Sequence, residues 1–90
     1  MTADDALAAR VRAILAEQAM VDVEDVVDEA RLADLGIDSM GLVEAIFAIE
    51  EAFDVAVPYN ANTPDASAFD VTDVGAVIAG VRTLVRQRDA

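Results

Sequence analysis

The stretch that decides the fold is "LADLGIDSMGLVEAIFAIEEAFDV", residues 32–55. Gly36 ends a loop, Asp38 is a good helix cap, and the spacing predicts a helix over 39–53. At about 100° per residue, Leu42, Ile46, Ile49 and Phe53 fall within about 40° of one another, the stripe of a core helix. Met40, Val43 and Phe47 lie around the side of that helix, away from the stripe. Glu44 and Glu51 stand on one side of them, and Glu50 is read as near Ser39, at the helix start. Three apolar residues set among acids need something other than this core to cover them. A bundle could cover Val43 and Phe47 with its own long loop or with the 56–70 segment; a partner could cover all three. Gly41 weakens the helix by about 1 kcal/mol relative to alanine.

Outward from this helix the chain stays helical. Leu7, Val11, Ile14 and Leu15 recur at helical spacing within an alanine-rich stretch, which predicts a first helix over about 3–18. Thr2 and Asp5 have capping-box spacing, with aspartate in place of the usual glutamate. Residues 19–38 form a long acidic connection, with a turn expected around Asp22–Val27 and with Val23, Val26, Val27, Leu32 and Leu35 available to pin it to the core. "YNANTPDASAFD", residues 59–70, reads as loop, with a short helix beginning near Asp65 and Phe69 turned inward. Thr72 is read as the cap of a last helix over about 73–88, whose apolar positions are Val74, Val77, Ile78, Val81, Leu84 and Val85. Arg82, Arg86 and Arg88 suit its C-terminal half. No strand pattern competes. The expected fold is all-α: one domain, 1–90, a small antiparallel bundle of three long helices and one short helix, with a long loop between the first two.

Composition narrows the function. The net charge is −12, and residues 22–54 hold eleven acids against the single Arg31. Nucleic acid and anionic lipid would be repelled, whereas basic protein surfaces are favoured; the plainer reading is that acid keeps a small protein soluble. There is no histidine and no cysteine, so the usual catalytic bases and nucleophiles are missing, along with any disulfide or thiolate metal site. The acidic stretch from Asp22 fails the calcium-loop template, because Val26 and Val27 stand where an oxygen ligand and the glycine belong. No apolar run approaches the length of a membrane span, and two aspartates near the N-terminus replace the positive charge of a secretory signal. The cytoplasm is the expected compartment and a monomer the expected state.

Ser39 sits at the first position of the 39–53 helix, where free backbone N–H groups and the positive end of the helix dipole favour a phosphate. Serine is also common at helix starts with no further role. The surroundings favour the first reading. Leu35-Gly36-Ile37-Asp38-Ser39-Met40, followed by "LVEAIFAIEEAFDV" and then "VP", closely resembles the acyl carrier protein family along the whole chain. The resemblance implies a 4′-phosphopantetheine arm on Ser39, added from coenzyme A by a phosphopantetheinyl transferase, with Asp38 assisting near that enzyme's magnesium ion. It implies a carrier and not an enzyme: acyl groups travel as thioesters on the imported thiol, and catalysis belongs to partners. Met40, Val43, Glu44, Phe47, Glu50 and Glu51 then become a docking face for acyl-loading, elongating or acyltransferase enzymes with basic patches. Family carriers can also house part of the acyl chain between helices, here among Leu42, Ile46, Ile49, Phe53, Val57, Phe69, Val74, Val77 and Ile78.

Two features depart from the family pattern. The connection before the last helix is longer than in a typical fatty-acid carrier by roughly half a dozen residues, which suggests a specialised lipid or surface-polysaccharide pathway. Gly41 also removes a side chain beside the arm. The alternatives are an aminoacyl or peptidyl carrier, and an unmodified acidic adaptor that docks a basic partner through the second helix.

Overall fold

The computed structural model describes residues 3–58 and 69–89. Three helices account for most of them: α1 (Ala3–Ala19), α2 (Ser39–Phe53) and α3 (Val74–Asp89). The described residues form no strand, only an isolated antiparallel bridge between Arg31 and Asp73. The Thr2 cap and the short helix expected near Asp65 lie outside the described residues.

The core takes one face of each helix. Val11 and Leu15 of α1, Ala45 and Ile49 of α2, and Val74, Val77 and Val81 of α3 are fully buried. α1 packs against both of the other helices. It runs antiparallel to α2: Gln18 lies beside Gly41, while Arg10 and Ala13 share a groove with Glu51 and Ala52. The nine residues expected to line the interhelical space all belong to the core cluster, with Leu42 and Phe53 half-buried at its margin. Ile37 and Ala45 join them, although neither lies on the stripe read from the sequence.

The long connection is tied down by side chains and backbone alike. A single 3-10 turn, Val23–Asp25, occupies the expected turn. Arg12 of α1 donates to the Val26 carbonyl at 2.8 Å and pairs with Asp28. The N–H groups of Val74 and Gly75, at the start of α3, donate to the carbonyls of Ala30 and Asp28. Thus the acidic loop caps the last helix with its own backbone. Val26 and Leu32 are buried as expected and Leu35 is half-buried. Val23 and Val27 do not pin the loop; they are 47% and 48% exposed, because the short turn leaves only Val26 facing α1.

The cap of α3 is Asp73 and not Thr72. Asp73 Oδ1 accepts the Ala76 N–H at 2.8 Å, and the helix begins one residue later than the sequence suggests. Thr72 is engaged elsewhere: its carbonyl accepts from Leu32 N–H and its own N–H donates to Asp70. Hydrogen bonds from the Thr72 side chain and N–H hold the Asp70 carboxyl below its ordinary value.

Phe69 is buried against Gly80 of α3, where a Cβ would stand 2.5 Å from the Phe69 ring. Alanine at 80 should gain about 1 kcal/mol in helix propensity but force a buried ring aside, at about 1–3 kcal/mol. Thermal unfolding of Gly80→Ala is therefore expected at a lower temperature than wild type. In a Phe69→Leu background, where the ring is gone, the same change should be neutral or stabilising.

Candidate functional site

The site is built by the last turn of the loop and the first turn of α2. Residues 31–37 wind through successive turns: Leu35 N–H donates to the Arg31 and Leu32 carbonyls, Gly36 N–H to Ala33, and Ile37 N–H back to Leu32. Gly36 takes a φ of +89°, a left-handed conformation that favours glycine. Buried Leu32 and Ile37 anchor both ends of this wound segment. Asp38 follows with extended backbone and caps α2: its Oδ1 accepts the Gly41 N–H at 2.8 Å, and its carbonyl accepts the Leu42 N–H at 2.8 Å. The cap expected from sequence is thus formed.

A side chain at position 41 would press lightly on the cap. A Cβ there would stand 3.3 Å from Asp38 Oδ1, 3.5 Å from Ile37 Cγ2 and 3.9 Å from Gln18 Oε1. The convergence of cap, loop anchor and α1 terminus on this point cannot be read from the sequence, because Gln18 arrives from a different helix.

Ser39 is exposed, at the first position of the helix. The Ser39 and Met40 N–H groups face the open end of α2, since the cap takes only those of Gly41 and Leu42. A depression of about 560 Å³ opens beside the serine, lined by Asp38, Ser39, Met40 and Val43. An accessible hydroxyl, two unspent N–H groups, a positive helix end and open volume fit a phosphodiester on Ser39. The chain has no histidine or cysteine to serve as a base beside the hydroxyl, and Asp38 Oδ1 is engaged in the cap. Among the described residues no group of three acidic side chains is arranged to hold a metal ion.

Along the exposed face of α2, Met40, Glu44, Phe47 and Glu51 follow one another at helical spacing. Met40 is 73% and Phe47 62% exposed, so among the described residues no other segment covers them. Val43 is half-buried, at the edge between this face and the core. Glu50 differs from its sequence reading. It shares the angular position of Ser39 but lies three turns along, about 16 Å away. Its Oε2 accepts the Val57 N–H at 2.9 Å, fastening the chain after α2. The helical wheel gave its angle and not the return of residue 57.

Comparison with known proteins bears on this site. The family model described as "Phosphopantetheine attachment site" matches residues 9–61. "Acyl carrier protein" of Desulforapulum autotrophicum is 53% identical over 51 residues, which cover 54% of this chain and 66% of that protein. "Non-reducing polyketide synthase dbaI" of Emericella nidulans is 36% identical over 76 residues, which cover 84% of this chain and 3% of the synthase. The chain therefore spans slightly less than two thirds of the first relative and a small part of the second.

Asp38→Ala should remove the cap of α2 and cost about 1 kcal/mol of stability. Asp38→Asn keeps an oxygen acceptor and should lose only a few tenths. Denaturant unfolding of the two variants checks the ranking; equal losses would contradict the assignment of the cap.

Proposed function

On the premise that this chain belongs to the acyl carrier protein family, whose group is phosphopantetheine, we propose that Ser39 is its attachment residue and that the chain presents acyl groups to partner enzymes. The observation that carries this reading is an exposed serine directly after a formed cap, beside an open depression. When bound, the arm supplies the thiol that this cysteine-free chain lacks, held as a thioester to its acyl group.

The chain's own residues have three tasks. The Asp38 cap and the Ile37 anchor hold the Ser39 oxygen at a fixed place on the surface. In this reading Asp38, whose Oδ1 caps α2, also assists the transferase's magnesium ion. Met40, Phe47, Glu44 and Glu51 receive the partner, charge steering the encounter and apolar contact setting the residence time. Glu50 is fastened to Val57 and serves this face by holding the end of α2 in place. The cluster around Ile46, Ile49, Phe69 and Ile78 is the space in which a chain would be housed, by parting helices and not by filling a preformed cavity.

The partners of this proposal are a phosphopantetheinyl transferase and acyl-loading, elongating or acyltransferase enzymes with basic docking patches. The cargo is an acyl chain of fatty-acid or specialised lipid synthesis. The similarity to part of a polyketide synthase adds polyketide intermediates as a second class. The proposal keeps a single carrier domain, a monomer and a cytoplasmic setting. No helix among the described residues is long and apolar enough to cross a membrane.

Incubation with a broad-specificity phosphopantetheinyl transferase and coenzyme A tests the reading. Wild type should gain the mass of one arm and Ser39→Ala none. No gain in wild type would favour the unmodified adaptor. Glu44→Lys and Glu51→Lys should slow loading by about three- to tenfold at low salt, with the difference shrinking as salt screens it. Unchanged rates would refute the docking face.

A further inference from the structure

We propose that the corner where α1 ends, formed by Met20 and Val23, is a second docking contact for the enzyme that acts directly on Ser39. The partner it fits has an apolar contact ringed by lysine or arginine. The inference rests on the carrier reading above.

Met20 is the most anomalous side chain among the described residues. α1 closes with a Schellman motif: Met20 N–H donates to the Glu17 carbonyl and Val21 N–H to that of Ala16. Met20 thus occupies the position where glycine is favoured, and its φ is +59°. Its side chain is 91% exposed, so the core gains nothing from it. A long apolar chain held in a left-handed conformation and left in water is explained by neither backbone nor packing. Strain of this kind points to a function.

The neighbours repeat the pattern of α2. Val23, three residues on, is 47% exposed, and Asp22, Glu24 and Asp25 are exposed around it. Arg12 pairs with Asp28 and Arg88 with Asp89, both away from this corner. Exposed apolar side chains among acids are also what Met40 and Phe47 present beside Glu44 and Glu51. Both surfaces therefore suit the same chemistry in a partner.

The corner lies at the same end of the bundle as the start of the α2 face. Gln18 Oε1 lies 3.9 Å from where a Cβ on Gly41 would stand, so the end of α1 is beside the start of α2. Met20 is two residues beyond Gln18, and its Cα is within about 7.6 Å of that residue's. Enzymes that work at the tip of an arm need only come within its reach. An enzyme that forms the bond at the Ser39 oxygen must bring its own surface against this end of the bundle. The loading transferase is therefore the partner that the corner fits.

Steady-state loading by a broad-specificity transferase with coenzyme A tests this with Met20→Gly and Met20→Leu. Glycine suits the left-handed position, so Met20→Gly should melt a few degrees above wild type while its KM as carrier rises about three- to tenfold at little-changed kcat. Met20→Leu, which keeps the apolar contact, should retain a KM near wild type. A purely structural role could not raise stability and weaken loading together. A normally loaded Met20→Gly with wild-type KM would overturn the corner alone. Wild type that gains no arm would overturn the carrier reading and the corner with it.

Discussion

The hydrogen bond from Gly41 N–H to the Asp38 carboxylate fixes the point at which α2 begins, and the surface features of the molecule follow from that point. One residue before the cap, Ile37 is buried and ties the loop to the core; one residue after it, Ser39 is in solvent. A helix started one residue later or earlier would turn by about 100° relative to its core stripe. Ile46 and Ile49 would then leave the core, or Met40 and Phe47 would enter it. The cap is worth only about 1 kcal/mol, less than the burial of Ile46 and Ile49, and it agrees with the register that buries one apolar set and displays the other.

Two demands are kept apart on α2. The core face closes the bundle against α1, while the outward face keeps two large apolar side chains in water between glutamates. Such a surface costs solubility unless charge surrounds it, and the net charge of −12 is concentrated in the segment that contains it. The same charge offers a basic partner a steering field.

Much of this was legible in the sequence because the relevant physics is local. Helical spacing, an aspartate before a serine and a glycine before both give α2 its bounds, and Ser39–Phe53 is the helix expected. The start of α3 was less legible, since Thr72 and Asp73 are both good caps and the choice is made by Thr72's bonds to Leu32 and Asp70. Val23 and Val27 were read as anchors on hydrophobicity alone, in a loop with no period to show which residues face inward. Glu50 was assigned from its angle on a wheel, which says nothing of distance along the axis or of a chain that folds back to it. Met20 gave no signal at all, because sequence favours glycine at the position it holds. In each case the missing information was a contact between segments distant in the chain, or a backbone conformation that the residue type disfavours.

The most direct test of the central claim is the intact mass of the protein isolated from its native cell under conditions that preserve thioesters, with fragmentation to locate any modification. The account predicts a phosphopantetheine group, with or without an acyl chain, on the peptide that contains Ser39. A chain recovered wholly unmodified, or modified at another residue, would contradict it.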